Sequence, residues 1–374
     1  MEHAARRRFL GILAGAGVVA AAGGGAAFLA NARDAASYDA AVESTWRHSD
    51  HFDLPLPVAQ KELVRYATLA ANSHNTQPWR FRIADRAIFV APDLRRRLSS
   101  VDPDDHHLFA SLGCATENLV QAAAAFGLRA NATFDPTAGG MRLDLEQAPA
   151  ARSPLFDAIP RRQSTRSLFD ERAVPAEHLR LLEAAASGDG VELRLFTERT
   201  SIEDILGYLI AGNSAQMDDA AFIAELKSWL RFNSAEALAT DDGLFSKCTG
   251  APTLPSWLGR LIFSLVVTKD SENKTYATQL RGSAGVAVFI SEKNEPASWS
   301  AAGRSCQRFA LQATALGIRH CFINQPVEVP AVRRQFATFL GAGDRRPDLV
   351  MRFGYGPELP RSLRRPVDQV LQAV

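Results

Sequence analysis

The sequence contains two helical segments of equal length that lie 190 positions apart. Gly113 and Gly127 enclose the first segment, and Gly303 and Gly317 enclose the second. In both segments apolar residues recur at helical spacing, while small residues fill most of the remaining positions. Small residues let two helix backbones approach closely, so we predict that the two helices pack against each other. A duplicated unit is therefore the first constraint on the fold.

A second pair of matching helices lies upstream of the first pair. Pro57 and Pro175, 118 positions apart, each stand in the first turn of a predicted helix, where proline is well tolerated. The second copy therefore holds 72 more residues between its two helices than the first copy does. We place this insert at about residues 199–281. Insertions of this length are typical of lids or interface elements, although an inert surface decoration is the alternative.

Short apolar runs between the helices predict strands. Their alternation with helices favours an α+β fold class in which each half of the chain has a central sheet covered by helices. We predict a first half at residues 50–150 and a second half at residues 151–374, with the insert inside the second half. The predicted strands are residues 87–91, 191–196, 285–291, 317–323 and 349–353.

The composition argues against some partners and sites. A net charge of +1 on 374 residues gives no electrostatic reason to expect nucleic-acid binding. The four cysteines lack CxxC spacing, which argues against a zinc knuckle, and the sequence does not decide whether any two form a disulfide. His106 and His107 follow Asp104 and Asp105, but adjacent side chains on a helix diverge by about 100°. We therefore expect a helix N-terminus with solvated acids there rather than a metal site.

The first 32 residues have the pattern of an export signal. An Arg-Arg-Arg-Phe-Leu sequence at residues 6–10 precedes an apolar, uncharged run at residues 11–30 and an Ala-Asn-Ala sequence at residues 30–32. The basic start resembles signals of the twin-arginine type, which export folded proteins. The alternative is an apolar segment that stays uncleaved and attaches the chain to a membrane. We predict a periplasmic or cell-envelope protein.

The sequence Ser-His-Asn-Thr-Gln-Pro-Trp at residues 73–79 is polar, short and present once in a duplicated chain. Such a turn presents hydroxyl, amide and aromatic groups from one place, which suits binding of a flat polar ring. We expect the imidazole of His74 within it to be satisfied by neighbouring groups, with donation to a bound ring as the alternative.

Two arginine-rich segments are candidates for binding an anion. Residues 161–166 contain three arginines and two hydroxyl side chains, and guanidinium groups bind phosphate bidentately. Near the C-terminus, a Gly-Tyr-Gly sequence at residues 354–356 precedes Arg361, Arg364 and Arg365. Each segment taken alone is also typical of a solvated linker or tail.

Three motifs together are more specific than any one of them. Ser-x-Asn-x-Gln-Pro-Trp at residues 73–79, Arg-x-Ser-x-Arg at 162–166 and Pro-x-Glu at 326–328 resemble the nitroreductase superfamily of FMN flavoproteins. The resemblance covers nearly all of residues 50–374, and the double length and the insert are most similar to its Acg-like subgroup. In that subgroup one chain mimics the homodimer of ordinary nitroreductases. The resemblance implies a nitroreductase-like fold of two tandem halves that form an intramolecular pseudo-dimer, with the insert as a lid.

The resemblance implies one FMN per chain, in a site built from both halves. The first half keeps the ring-binding segment and lacks the Arg-x-Ser-x-Arg motif, whereas the second half keeps that motif and has lost the ring-binding segment at residues 187–191. The phosphate would lie at residues 162–166, and the backbone at residues 327–329 would donate an N–H to the ring. The cofactor supplies the chemistry, so no catalytic side chain is implied. The implied cofactor-binding residues are Ser73, Asn75, Gln77, Arg162, Ser164, Arg166, Pro326, Val327, Glu328, Arg361 and Arg365.

Two functions are consistent with this site. The first is an oxidoreductase in which FMN passes electrons from a nicotinamide or another donor to a small acceptor. The second is an FMN-sequestering or storage protein in which the insert covers the flavin and prevents turnover. Tryptophans of the insert, Trp229 and Trp257, are expected to pack or lie at the surface, with covering of the flavin as the alternative. An internal pseudo-dimer removes the need for a partner subunit, so we predict a monomer.

Overall fold

The computed structural model describes residues 24–372, with side chains from residue 33 onward. Most of the predicted export signal therefore lies outside the described residues. The first half of the chain combines long helices with a sheet of four strands. Its elements are α1 (Gly24–Thr45), α2 (Leu56–Thr68), β1 (Trp79–Ala84), β2 (Ala87–Pro92), α3 (His106–Ala125), β3 (Leu128–Asp135) and β4 (Gly140–Gln147).

The second half contains the same kinds of element, with additional helices between its first two long strands. A short helix, α4 (Pro154–Ala158), connects the two halves. The remaining elements are α5 (Ala176–Ala186), β5 (Val191–Phe196), α6 (Arg199–Asp218), α7 (Ala220–Trp229), β6 (Leu230–Arg231), α8 (Ser234–Thr240), β7 (Leu244–Phe245), α9 (Ser256–Val266), α10 (Lys269–Arg281), β8 (Gly285–Ser291), α11 (Pro296–Ala315), β9 (Arg319–Phe322), α12 (Gln325–Glu328), α13 (Pro330–Phe339), β10 (Pro347–Gly354) and α14 (Val367–Val370).

Two four-stranded antiparallel sheets form the framework, and they share one topology. The first sheet has the order β1-β2-β4-β3, and the second has the order β5-β8-β10-β9. Taken in chain order, the four strands of the first sheet correspond to β5, β8, β9 and β10. The duplication predicted from the helices therefore extends to the sheets. The predicted α+β fold class is confirmed.

Helices α3 and α11 are the duplicated pair, and they pack directly against each other. A Cβ added to Gly113 would lie 1.9 Å from the backbone oxygen of Ser300, and one added to Gly303 would lie 1.9 Å from that of Ala110. Ser300 and Gly303 are the counterparts of Ala110 and Gly113 at the offset of 190 residues. The contact is therefore symmetric, and it requires glycine on both helices.

The two sheets differ in how deeply they are buried. One face of the first sheet packs on α2 and α3, and alternating residues of β3 point away from this core. Every residue of β8 and β10 is buried. Residues such as Phe289 and Met351 face α11, whereas Val288 and Val350 face the helices of the opposite layer. A strand that is covered on both faces has apolar residues at successive positions, and for this reason β8 can be predicted from the sequence.

The insert, defined as α6 to α10, lies between β5 and β8. Helix α6 packs on α10 and, through Ile205 and Leu209, on the outer face of the second sheet. The part of the insert around β6 and β7 contacts the first half. The backbone N–H of Gly243 donates to the oxygen of Asn75, and Asp242 pairs with Arg96. The insert therefore joins the two halves.

Helix α1 packs on this same part of the insert. Tyr38 is fully buried, and its ring lies 4.8 Å from that of Phe245. Among residues 24–372, the helices are all too short or too polar to cross a membrane. The four cysteines are buried and unpaired.

Candidate functional site

A cavity of about 660 Å³ lies between the two halves and the insert. Helix α3 forms one wall with His107, Ala110 and Cys114. The turn before β1, the segment at residues 162–166 and the chain at residues 360–364 form further walls, and the insert closes the remaining side. A pocket of this size that lies between structural units is typical of a cofactor or substrate site.

The turn at residues 73–77 has an unusual backbone. His74, Asn75 and Gln77 have φ angles of 48°, 53° and 52°, in the left-handed region that favours glycine. Each such residue costs on the order of 1 kcal/mol, and clusters of them are typical of functional sites. The side chain of Asn72 stabilises the turn, because its Oδ1 accepts the backbone N–H of Gln77 at 2.9 Å.

The structure brings Ser73 and Asn75 to the cavity but gives Asn75 a different role from the predicted one. Its Nδ2 donates to the backbone oxygens of Gly243 and Leu363, each at 3.2 Å, and its Oδ1 accepts from Arg364 at 2.8 Å. The amide therefore joins the insert to the C-terminal chain rather than standing free for a ring. For Ser73, in contrast, no hydrogen bond of the hydroxyl is found within residues 24–372.

Gln77 is absent from the cavity wall, which corrects its prediction as a direct ligand. Its Nε2 donates to the backbone oxygen of Asp241 at 2.7 Å, and its Oε1 accepts the backbone N–H of Arg365 at 2.8 Å. Trp79 is also not presented to a ring, because it starts β1 and is fully buried in the first core. Both residues anchor the turn.

His74 lines the cavity and is not satisfied by its neighbours, contrary to expectation. Its Nδ1 is inaccessible and has no hydrogen-bond partner in the described part of the chain. Burial, together with the nearby charge of Arg166, lowers the pKa of His74 to about 4. The imidazole is therefore neutral at pH 7, and its Nδ1 is unpaired in the described part of the chain.

Residues 162–166, for which anion binding is predicted, lie against the cavity. Arg162, Ser164 and Arg166 all line it. The backbone N–H of Thr165 donates to the oxygen of His320 in β9 at 2.8 Å, which fixes the segment to the second sheet. The fully buried Arg352 donates to the backbone oxygens of Thr165 and Ser167 and so holds the peptide groups on both sides of Arg166.

The C-terminal chain contributes Arg361 and Arg364 to the cavity, whereas Arg365 faces elsewhere. The guanidinium of Arg365 donates to the backbone oxygen of Gln369 and lies near Arg80. Adjacent residues of an extended chain point to opposite sides, so only one of Arg364 and Arg365 can face the cavity. Arg364 therefore stands at the cavity where Arg365 was predicted, and its guanidinium nitrogens already donate to protein oxygens, among them those of Thr68, Ala70 and Asn75.

The arginines at the cavity have few acidic partners. Among the described residues, no carboxylate lies within ion-pair distance of Arg162, Arg166 or Arg364, and Arg361 has only Glu358 at 3.8 Å. Burial lowers the pKa of Arg162 to about 10, and burial together with nearby Arg162 lowers that of Arg364 to about 9. Both guanidiniums stay charged at pH 7. Buried cations without counter-charges are costly, so this end of the cavity suits an anion.

The Pro-x-Glu motif is only partly at the cavity. Glu328 lines it, and Gln216 of the insert donates to its carboxylate at 2.6 Å. Pro326 and Val327 are buried away from the cavity wall. The backbone N–H groups of Val327 and Glu328 both donate to the oxygen of Asn324, so these two amides are not available to a ring. The predicted backbone donor is therefore not found at these two positions.

Of the two acids expected to be solvated before α3, Asp104 is exposed, whereas Asp105 is partly buried and pairs with Arg97. Asp102 is buried, and its two oxygens accept the backbone N–H groups of His107 at 3.0 Å and Leu108 at 2.9 Å. Asp104 pairs with Arg346. Asp102, His106 and His107 bring their ligand atoms within 4.8 Å of one another, but His106 Nε2 is already bonded to Asp348 at 2.8 Å. We assign this cluster to capping of α3.

Sequence reasoning did not identify His107 as a cavity residue. Its Nδ1 lies 3.6 Å from Asp102, and its Nε2 is buried without a partner within the described range. Burial alone would lower the pKa of His107, but hydrogen bonding to Asp102 and its charge outweigh burial and raise it. The cavity therefore contains one histidine that holds a proton readily and one, His74, that does not.

The insert contributes apolar side chains to the cavity, but not its tryptophans. Trp229 and Trp257 do not line it, and Trp257 is 69% exposed. Neither residue is therefore at the cavity wall. The apolar lining from the insert consists mainly of Phe222, Leu226, Phe232, Ile262 and Phe263.

The position equivalent to this site in the other half is closed by ion pairs. The turn that replaces residues 73–79 contains Asp189, which pairs with Arg304 and Arg308 of α11. The same two arginines pair with Glu117 of α3. Arg304 is the counterpart of Cys114, a small residue that lines the cavity. Long charged side chains therefore fill one pseudo-equivalent site, whereas small residues keep the other open.

The chain is similar to nitroreductases. No family model matches it. The candidate NAD(P)H nitroreductase Rv3131 of Mycobacterium tuberculosis is 28% identical over 329 residues, which cover 83% of this chain and 90% of that protein. A second candidate NAD(P)H nitroreductase of that organism, acg, is 26% identical over 330 residues, which cover 83% and 94% of the two chains. The predicted resemblance to the nitroreductase superfamily, and to its Acg-like subgroup, is confirmed.

Solved structures with similarity to this chain include two nitroreductases. One, from Bacteroides fragilis with bound FMN, is 18% identical with a TM-score of 0.36 and covers 57% of this chain and 95% of its own. The other is the FMN-dependent NfnB of Mycobacterium smegmatis in complex with NADPH. It is 16% identical with a TM-score of 0.37 and covers 56% and 94% of the two chains.

Proposed function

We propose that this chain is an FMN-binding oxidoreductase of the nitroreductase type, with one flavin in the cavity between its halves. The observation that carries the proposal is the group of arginines at one end of the cavity, Arg162, Arg166 and Arg364, which have no carboxylate partner in the described part of the chain. A phosphate ester would supply the missing negative charge. The names of the two mycobacterial relatives support the same class of protein.

The residues at the arginine end fit the phosphate of FMN. Arg166 makes no side-chain hydrogen bond within the described chain and would bind the phosphate directly, while Arg162 would add charge from behind it. Ser164 offers a hydroxyl, although its Oγ also lies 3.8 Å from the sulfur of Cys321. The Nε atoms of Arg162 and Arg361 are buried without partners within residues 24–372, as expected where an anion belongs.

The rest of the cavity fits a flat ring. The hydroxyl of Ser73, Nδ1 of His74 and Nε2 of His107 are polar groups with no partner among residues 24–372, and the apolar side chains of the insert would exclude water from the other face. Bound FMN would accept electrons from a donor and pass them to a small acceptor. His107, with Asp102 behind it, would hold a proton at Nε2 for delivery into the cavity.

Reduction of the bound flavin by a nicotinamide distinguishes turnover from sequestration. NAD(P)H is the first donor to test because both relatives are named for it. Export of the chain, which we also propose from residues 1–32, would separate it from cytoplasmic NAD(P)H and would require a membrane or thiol donor instead. The alternative, a storage protein, would require the insert to cover the ring and prevent access of any donor.

The experiment is anaerobic mixing of the flavin-loaded protein with excess NADPH, followed by absorbance of the flavin band. Rapid bleaching, reversed by a quinone or a nitro-aromatic compound, is the expected result. Dithionite is the control, because it reduces flavins without a specific binding site. Bleaching by dithionite alone would contradict nicotinamide-driven turnover and favour sequestration. A protein that neither retains nor takes up FMN would overturn both functions.

A further inference from the structure

Helix α9 of the insert exposes apolar side chains along one face. Trp257, Leu261 and Leu265 are spaced by four residues and are 69%, 51% and 69% exposed. Spacing by four places them on one side of a helix. Exposed apolar residues are common singly, but a row of three large ones along one helix marks an interaction surface. We call these three residues the exposed row.

The same helix also lines the cavity. Gly259, Ile262 and Phe263 contribute to the cavity wall. Helix α9 is therefore apolar on two sides, one towards the cavity and one towards solvent. A helix that only closed the cavity would need the first side but not the second.

The only charged residue of α9 is Arg260, which suits contact with an anionic surface. Residues 244–269 contain Lys247, Arg260 and Lys269 and no acidic residue. Asp39 and Asp218 neutralise the two lysines, whereas Arg260, beside the exposed row, has no ion pair within the described chain. A helix with tryptophan and leucine on one face and a basic residue at its edge is typical of helices that lie in the interface of an anionic bilayer.

The length of α9 and the position of α1 define the kind of contact. Helix α9 has 11 residues, about 16 Å, which is too short to span a bilayer and long enough to lie in its surface. Helix α1 begins within the apolar run at residues 11–30. It packs through Tyr38 on Phe245 and Cys248, shortly before α9 in the chain. An N-terminal segment held at a membrane would therefore keep this part of the insert close to it.

We propose that α9 docks on the surface of an anionic phospholipid bilayer, with the exposed row in the boundary between headgroups and acyl chains. The cavity then lies directly behind the docked helix. Together with the proposed flavin function, on which this last step rests, the arrangement selects a lipid-soluble electron acceptor such as a membrane quinone. The docking itself does not depend on flavin.

The test uses the full-length chain and vesicles of phosphatidylcholine and phosphatidylglycerol that carry brominated acyl chains. Bromine quenches tryptophan fluorescence only at short range. We expect quenching of the wild type that is absent from Trp257→Phe, because Trp257 is the tryptophan of the exposed row and is 69% exposed. Vesicle binding without any difference between these two proteins would overturn the proposal, since the N-terminal segment alone would then explain the binding.

A pair of matched variants tests the exposed row itself. The double variant Leu261→Gln/Leu265→Gln should bind vesicles at least tenfold more weakly, because two apolar side chains no longer leave water. Leu181→Gln on α5, where the leucine is 46% exposed, is the control and should bind like the wild type. Equal binding by all three proteins, or a dimer that protects Trp257 from an aqueous quencher in the absence of vesicles, would contradict lipid docking.

Titration with FMN keeps the two proposals separate. The double variant changes the outer side of α9 only, so it should bind FMN with unchanged affinity while vesicle binding is lost. A double variant that loses affinity for FMN and still binds vesicles like the wild type would contradict the assignment of one side of α9 to the cavity and the other to the bilayer. If neither the wild type nor the double variant binds FMN but the wild type binds vesicles, the docking proposal is supported and the flavin function is contradicted.

Discussion

At the scale of single residues, the turn at residues 73–77 shows what the sequence could and could not predict. Ser73, which the motif predicts at the site, lines the cavity, and so does His74, which was expected to be satisfied by its neighbours. The motif did not predict that Asn75 and Gln77 would bind backbone groups of the insert and the C-terminal chain, at residues 241–243 and 363–365. Those partners are distant in sequence, and only the assembled fold brings them to the turn.

Arg166 is the residue whose loss should weaken FMN binding most selectively. In Arg166→Ala we expect the affinity for FMN to fall by about 2 kcal/mol or more, roughly thirtyfold, because a charge-assisted hydrogen bond to phosphate is lost. Equilibrium titration by quenching of flavin fluorescence measures the change. Arg172→Ala is the matched control, since Arg172 is exposed and pairs with Asp170. Equal affinities of the two variants would refute the phosphate assignment.

His320 should make the protein sensitive to acid. It is buried in β9, both ring nitrogens lack partners in the described chain, and burial with the nearby Arg162 lowers the pKa of His320 to about 3. The unfolded chain takes up this proton below pH 6.5 and the folded chain does not, so the free energy of unfolding falls as pH drops from 6.5 towards 3. The loss attributable to His320 is about 2 kcal/mol at pH 5.

Chemical denaturation at pH 7.5 and pH 5 measures this dependence. His320→Leu removes the titrating group. Between pH 7.5 and pH 5 its free energy of unfolding should therefore fall by about 2 kcal/mol less than that of the wild type. His51→Asn, a substitution at an exposed histidine, is the control and should behave like the wild type. A His320→Leu variant with the full acid sensitivity of the wild type would contradict the assignment.

At the scale of elements, the sequence predicted both fully buried strands and some of the partly exposed ones. β8 is a continuous apolar run, the buried β10 also contains Asp348 and Arg352, and β2, β5 and β9 were also predicted. β1, β3 and β4 were missed. One face of these strands is partly exposed, and alternation such as Arg80, Phe81, Arg82 and Ile83 in β1 was the available signal.

The contact between α3 and α11 should be intolerant of any side chain at its two glycines. Gly113→Ala and Gly303→Ala should each lower the free energy of unfolding by about 3 kcal/mol or more, because the added Cβ meets a backbone oxygen that cannot move independently. Gly207→Ala on α6, where a Cβ meets nothing within 4 Å, is the helical control and should be stabilising by about 0.5–1 kcal/mol. Urea denaturation of the three variants is the measurement. Similar stabilities would contradict the close packing of the duplicated helices.

At the scale of the whole molecule, duplication followed by divergence explains why one cavity remains open. Each half contributes a different part of the cavity, and the pseudo-equivalent position is filled by the pairs of Arg304 and Arg308 with Glu117 and Asp189. The duplication was readable from helix spacing. The ion pairs were not, because they join residues of α3, α11 and the turn at residues 187–190 that only the fold brings together. We propose that the chain functions as a monomer, since both halves of the site are present in it.

The stoichiometry of FMN binding tests this account most directly. The measurement is titration of the flavin-free protein with FMN, combined with light scattering to give the mass of the flavin-loaded species. We predict one FMN per chain in a particle with the mass of a monomer. Two FMN per chain would contradict the closure of the second site. One FMN for every two chains, or binding that requires a dimer, would contradict a complete site within a single chain.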